Sequence, residues 1–447
     1  MSHPPLSRAA LGTLASLCFG LAFAWPVAAL DPADPPADPA AGLPSPGLLS
    51  LDAARRIALD RQPMLEAQAL AVEAARQSAV AARQLPDPQL VGGVANLTIT
   101  GDHIGTLRDE SETQFTVGIA QAFPQAAKRR LRGERASAEA TVAERQLGNE
   151  ALRIERDVGL AWLDVWKPQQ ALALARATVA EAELQLEALR IAYRNGRGSQ
   201  AEVRAASVAL ALLRDDIARL EQDGYHARGT LSRWLGEAAY APLPEGRPPL
   251  SEPPPLAELL DRLHRHPHVD VAAAEVERAE AEVALARQAY RPDFNVQLGY
   301  GHRPAYSDYL NLQVGIDLPL FTANRQDRSL AASSAGLARA EALREDAWRE
   351  HAADVRLNHW DWTLLGQRLA RFDTLIVPEA DARVDAARLA WAAGGGSLTA
   401  LLEARRAALE VRLNRLDLET DRSRHALQLL YLGAGTGAGT DRDGVSP

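Results

Sequence analysis

Sulfur is scarce in this chain: of its 447 residues, only Cys18, Met1 and Met64 carry it. One cysteine cannot build an internal disulfide framework, and no relay of thiolate or thioether ligands is present to select copper or zinc. Aromatic residues are also few, at 5% against 47% hydrophobic residues overall, and the apolar content comes mostly as Ala and Leu in long stretches decorated with Arg and Glu. That composition fits extended, closely packed helices better than a compact enzyme. Basic runs are missing as well. The 49 Lys and Arg and 58 Asp and Glu give a net charge of −9 with the two signs interspersed, so nucleic acid is excluded as a partner. No Gly-x-x-x-x-Gly-Lys loop and no His-Glu-x-x-His pair occurs, and no catalytic constellation stands in for them. The chain reads as no enzyme, with no cofactor and no metal site.

Long apolar runs are limited to the beginning. Arg8, the apolar residues 9–24 and the small residues Val27, Ala28 and Ala29 form a secretory signal, with cleavage expected after Ala29. Leu17 is too large for the residue before a lipidated Cys18, and no later stretch offers a transmembrane helix. Residues 30–47 are a Pro/Ala/Asp-rich leader and 434–447 a Gly-rich tail, both expected to be disordered. A second Pro-rich stretch, 242–255, divides the remainder into halves at 48–241 and 256–433.

The halves repeat one another. Gln62-Pro63 returns as His266-Pro267, and Ala82-Arg83-Gln84 with Pro86-Asp87 returns as Ala286-Arg287-Gln288 with Pro292-Asp293. Val117-Gly118-Ile119 returns as Val314-Gly315-Ile316. Tyr193 with Gly196, Gly198 and Ser199 returns as Trp391 with Gly394, Gly396 and Ser397, and Trp234-Leu235-Gly236 as Tyr431-Leu432-Gly433.

Each half carries a pair of alternating segments. Phe294, Val296, Leu298 and Tyr300 alternate with Asn295, Gln297, Gly299 and Gly301; Leu310, Leu312, Val314, Ile316 and Leu318 alternate with polar or small residues. In the first half Phe115, Val117 and Ile119 form one side of the second segment. For residues 89–100 the less regular pattern puts Val91, Ala95, Leu97 and Ile99 on the apolar side. These lengths suit tilted strands crossing a bilayer, although a half-buried hairpin in a soluble domain has the same period. Four strands cannot close a barrel, and open edges in lipid leave backbone groups unsatisfied. Copies of the chain must therefore share one.

The helical stretches carry coiled-coil seams. Leu172, Ala175, Val179, Ala182, Leu186, Leu189 and Tyr193 make one; Val203, Ala206, Leu210, Leu213, Ile217 and Leu220 another; Val377, Ala380, Val384, Ala387 and Trp391 a third. Residues 126–166 alone predict a rod of roughly 60 Å. Proline disfavours helix in the residue before it, so Lys167-Pro168 and Val377-Pro378 are candidate periplasmic tip turns. The glycine breaks at 195–198 and 394–396 are expected midway along the returning path, as an equatorial belt. Near the second proline, Asp373, Glu379, Asp381 and Asp385 are candidates for a channel-entrance ring, since an inward-facing acid repeats in a closed oligomer; a solvated helix face is the bland alternative. His264, His266 and His268 cluster, but their place opposite Gln62-Pro63 is explained by a helix start.

With the two-fold repeat, the Pro-Asp entries to the strand pairs, Tyr193-x-x-Gly196 and its partner, and the Leu-Gly ends, the chain after Leu51 resembles the TolC-type outer-membrane efflux proteins. Leu85-Pro86-Asp87-Pro88 and Lys128-Arg129-Arg130 look most like the heavy-metal, CzcC-like branch, although Gln125-Ala126-Ala127 replaces that branch's usual Gly-Gly. The resemblance implies a fold that is mainly α with a small β part: a homotrimeric α-barrel tunnel of long antiparallel coiled-coil helices, plus a shared 12-stranded transmembrane β-barrel with four strands per chain. It also implies a place in the Gram-negative outer membrane, a periplasmic adaptor (membrane fusion protein), an inner-membrane pump of the resistance-nodulation-division (RND) class, and passive exit of heavy-metal cations. Drug efflux, type I protein secretion and a soluble periplasmic coiled-coil adaptor remain as alternatives.

Overall fold

The computed structural model describes residues 47–100, 113–196, 198–304 and 306–434. The expected signal segment, all but the end of the leader, all but the first residue of the tail, and residues 101–112 between the first two strands lie outside these residues. The first repeat runs α1 (Leu51–Arg61), α2 (Pro63–Ala82), β1 (Gln89–Ala95), β2 (Gln114–Phe123), α3 (Ala126–Arg194) and α4 (Gln200–Leu235). The second runs α5 (Leu256–Arg262), α6 (Pro267–Gln288), β3 (Asp293–His302), β4 (Tyr309–Asp317), α7 (Gln326–Arg371), α8 (Val377–Ala392) and α9 (Leu398–Leu432). The architecture is mainly α with a small antiparallel sheet.

Local sequence sets the helix starts. Ser50 caps α1 by accepting from the Ala53 N–H at 3.2 Å, and Pro63 and Pro267 open α2 and α6, where a missing N–H costs nothing. Ser199 and Glu202 close a reciprocal capping box on α4, while Ser397 accepts from the Ala400 N–H at 3.2 Å to cap α9.

The two proline turns are not turns. Pro168 lies inside α3, which continues unbroken for 69 residues, roughly 100 Å. An interior proline removes a helical hydrogen bond and costs about 3 kcal/mol, and the packing around it offsets that cost. Pro168 is buried against Gly224 of α4, and Lys167 is tied to Asp417 at 2.7 Å. The preceding turns are pinned to the chain before α1 and to the linker: Trp162 Nε1 donates to the Leu49 carbonyl at 2.9 Å and Trp166 Nε1 to that of Gly246 at 3.0 Å. In the second repeat the rod passes Val377-Pro378 by widening into one π-helical stretch, Phe372–Ile376, and resumes as α8.

The reversals lie instead at the glycine segments expected to form a mid-height belt. Gly196 (φ 72°) and Gly394 (φ 77°) adopt the left-handed conformation that ends a helix without a Cβ clash. Each is followed three residues later by the serine that starts the returning helix. Helices α3/α4 and α8/α9 thus form two hairpins. Their seams meet in one core of Val179, Ala182, Leu186, Leu189, Ala206, Leu210, Leu398 and Leu401, with Val384, Ala387 and Trp391 packed against it. The waist lies near the middle of α3, where Trp162, Trp166, Leu231, Leu235 and Leu243 join α1 and the Pro-rich linker in the largest core.

Candidate functional site

The four strands form one antiparallel sheet in the order β1-β2-β3-β4. Residues directly opposite share a face, so the register assigns every side chain. Val117 faces Tyr300, Ile119 faces Leu298, Leu298 faces Leu312, Val296 faces Val314 and Phe294 faces Ile316. Leu90 pairs with Ile119 and Val94 with Phe115. The expected apolar side of the first strand was therefore off by one residue: Leu90 and Val94 join the apolar face, Val91 and Ala95 face the other way, and Leu97 and Ile99 lie beyond β1. The error follows from glycines at both 92 and 93, which leave the alternation without a phase.

One face of the sheet is thus apolar apart from Gln121 and His302 near its two ends, and Leu90, Leu298, Leu310, Leu312 and Val314 are all more than half exposed on it. Among the described residues these side chains have nothing to pack on. The opposite face carries Gln114, Thr116, Asn295, Gln297, Asn311 and Gln313, with glycines that make room: the Tyr309 ring lies over Gly301, and Asn295 fills the space beside Gly315. Among the described residues, Asp293 and Asp317, which pair with one another at the base of the sheet, are the carboxylates on this face. Strands β1 and β4 have one neighbour each, so both margins of the sheet are open among the described residues.

The sheet is fixed to the helices by Lys128, the first residue of the basic run. It is buried and reaches Asp293 at 2.9 Å and the Arg291 carbonyl at 2.7 Å, while Asp293 also accepts from the Gln125 N–H at 3.0 Å. This joins the start of α3 to the start of β3 and ties the two repeats at the base of the sheet.

The four candidate entrance acids do not share one level. Asp373 and Asp385 are separated by 12 positions, about 18 Å along the rod. Three of the four are engaged: Asp373 with Arg415 at 2.5 Å, Asp381 with Arg412 at 2.7 Å and Asp385 with Arg388 at 3.1 Å. Arg415 also holds Glu419 at 3.0 Å, and these two carboxylates raise its guanidinium pKa. Glu379 is exposed, with no ion pair among the described residues. Lys167, Pro168, Val377 and Pro378 sit within rods, as described above.

Sequence reasoning missed two features. The reversal glycines were read as breaks in a continuing path, although the capping sequences Ser199-x-x-Glu202 and Ser397 that follow them mark fresh helix starts. His351 was not singled out at all. It lies in the middle of α7 against His266 and His268, a contact across about 85 residues of sequence with no local signal.

A sheet apolar on one face, polar on the other and open at both margins, carried on two long helical hairpins, restricts the candidates. The family model described as outer membrane efflux protein matches residues 54–237 and 260–434. The chain belongs to this family. Solved structures of similar fold include CusC (TM-score 0.74, 17% identity, 87% of this chain and 93% of that one) and the outer membrane protein VceC from Vibrio cholerae (0.71, 18%, 86% and 96%). The MtrE outer membrane channel of Neisseria gonorrhoeae in its open state is another (0.69, 19%, 86% and 89%). No match is found among curated proteins. As an outer membrane efflux protein, the chain is an outer-membrane channel component and not an enzyme.

Proposed function

We propose that three copies of this chain close one 12-stranded barrel and form the passive exit duct of a tripartite efflux system. The observation that carries this is the sheet. Four strands with open margins satisfy their backbone in lipid only by pairing with strands of other copies, and the apolar face made by Leu298, Leu312 and their neighbours then turns to the bilayer.

The helical hairpins extend the duct into the periplasm. The reversals at Asn195–Ser199 and Ala393–Ser397, near one another at the far end of the bundle, are the surface offered to a periplasmic adaptor. An inner-membrane RND pump supplies the energy, since the chain holds no nucleotide loop. Residues 1–29 direct export, and the repeats at 48–241 and 256–433, joined by the linker at 242–255, build one wall segment each.

Heavy-metal cations are the proposed cargo. The carboxylates Asp373, Glu379, Asp381 and Asp385 form tiers along the π-helical stretch and α8, and in a closed trimer each inward-facing acid appears three times. Glu379, free of an arginine partner among the described residues, is the foremost candidate. The neutral amide and hydroxyl lining of the sheet suits organic solutes as well, which makes drug efflux the second reading. Cross-linking of the detergent-extracted protein tests the assembly: a trimer is expected, and a monomer soluble without detergent overturns it. A deletion strain tests the cargo; lost tolerance to metal salts alone supports the first reading, and lost tolerance to drugs alone the second.

A further inference from the structure

Three histidines meet where α6, α7 and α9 converge. His266 caps α6 and is fully buried, His268 follows it on the first turn, and His351, 8% exposed, comes from α7. The rings of His266 and His351 meet edge to face with centroids 4.7 Å apart. Those of His268 and His351 stack at 4.7 Å, and His266 also stands edge-on to Tyr431 of α9 at 5.0 Å. His266 Nδ1 accepts from the His268 backbone N–H at 3.3 Å. His266 Nε2, His268 Nδ1 and both ring nitrogens of His351 are buried with no hydrogen-bond partner among the described residues. Native folds leave few such atoms, because each forfeits the hydrogen bond it makes in water; four in one contact point to a ligand.

The arrangement selects which ligand. A metal ion needs donors converging on one point about 2.0 Å away. Two stacked rings and a third set edge-on do not converge, and no group of His, Cys, Asp or Glu among the described residues has metal-holding geometry. A proton needs only a lone pair and a path. His268 supplies the path, for it lines a groove of about 770 Å³ between α6 and α7, walled by small residues such as Gly336 and by Glu275, Glu282, Asp346 and Glu350.

The surrounding charges are mixed. From α7, Glu350 and Asp354 favour a charged His351; from α3, Arg156 opposes it, lying 4.6 Å over the Tyr431 ring and paired with Asp157 at 2.7 Å. Arg153 of α3 pairs with Glu150, and Asp270 of α6 is engaged by Arg145 at 3.4 Å. Among the described residues, helix α9 brings to the rings Tyr431, whose backbone carbonyl favours a charged His266, and His264, on the turn before α6, stacks on Trp348 at 5.6 Å. Burial, reinforced by the neighbouring rings, brings the pKa of His266 down to about 3, and burial also lowers that of His351.

We propose that His266 and His351, reached through His268, form a proton-binding site that acts as an acid-sensitive joint, loosening α6 and α7 from the end of α9 when protons enter. The sign follows from the neutral packed state. Packing is fully favoured above pH 6.5, where a released histidine is also neutral, and is progressively lost as pH falls towards about 3. Between pH 7 and pH 5, one histidine with these two values shifts the packed-to-loosened ratio about 25-fold.

Hydrogen exchange of the full chain in detergent at pH 7, 6 and 5, corrected for intrinsic rates, tests the joint. Protection in segments 267–275 and 347–355 is expected to fall tenfold or more from pH 7 to 5, while the seam of α3 and α4 near their reversal holds. His351→Phe, which keeps a ring but removes the proton site, flattens the response; His266→Asn, which can still cap α6, does the same should the first variant fold poorly. Protection independent of pH in the wild type, or an unchanged pH response in both variants, overturns the proposal. So does protection of the same segments by zinc chloride at pH 7, which makes the site a metal site.

Discussion

A lysine at position 312 should damage the protein far more than a lysine at 313. Leu312 is the fourth of nine residues in β4, opposite Leu298, and is 67% exposed on the apolar face. Nine residues at about 3.4 Å, tilted by about 40°, rise roughly 23 Å across the bilayer, so position 312 lies near the midplane. A lipid-facing Lys at that depth costs about 2–4 kcal/mol, against about 0–1 near either interface. Gln313 points to the opposite face, where Gln313→Lys meets water and changes stability by less than about 0.5 kcal/mol. The two substitutions, one residue apart, should therefore differ by at least about 1.5 kcal/mol per chain, more than tenfold in the folding equilibrium. Denaturant titration of the protein refolded into lipid vesicles measures the difference, and heat-modifiable migration on gels reports the folded fraction. If Leu312→Lys is tolerated as well as Gln313→Lys, the apolar face is covered by protein rather than lipid, and the membrane assignment of the sheet fails.

Lys128→Met should lower the thermal midpoint in detergent by the equivalent of about 1–3 kcal/mol, because Asp293 loses its cation in a largely buried junction; an unchanged midpoint means the tie is dispensable. Pro168→Ala should raise stability by about 1 kcal/mol, with up to about 3 kcal/mol regained from the backbone against about 1.5 kcal/mol of lost ring burial; a lower denaturant midpoint shows that α3 needs the ring. Ser397→Ala should cost about 0.5–2 kcal/mol at the start of α9, seen as faster amide exchange in its first turn, and equal exchange rates refute the cap.

Much of this architecture was legible in the sequence because its signals are local or periodic. The repeat is a matter of order, and the alternation of Phe294 to Tyr300 and of Leu310 to Ile316 fixes their faces without reference to any partner. The seams at Val179, Ala182 and Leu186 emerged for the same reason. Where the pattern lost its phase, at Gly92-Gly93, the face of β1 was misassigned, and only pairing with Phe115, Val117 and Ile119 restores it. The entrance acids were legible as a charged stretch, but the α9 arginines that engage Asp381 and Asp373 are 31 and 42 residues away, and pairing across a hairpin cannot be read until the position of its reversal is known.

That position depended on weighing two kinds of helix breaker, and the physics separates them. An interior proline forfeits one hydrogen bond and crowds one carbonyl, a cost of about 3 kcal/mol that tertiary packing can offset; the core around Trp162 and Trp166 offsets it at Pro168, and a π-helical stretch accommodates Pro378. A reversal needs a residue at positive φ, where any Cβ is strained, so glycine marks it more firmly than proline does. Gly196 and Gly394 meet that requirement, and each is followed by a serine cap. The consequence is one of reach. Ending the rod at Lys167 gives roughly 60 Å below the sheet, whereas ending it at Arg194 gives roughly 100 Å. The longer rod also places the Trp162 core at mid-height rather than at the tip, so that the Pro-rich linker packs against the middle of α3 and the two glycine reversals lie at the ends of the hairpins far from the sheet.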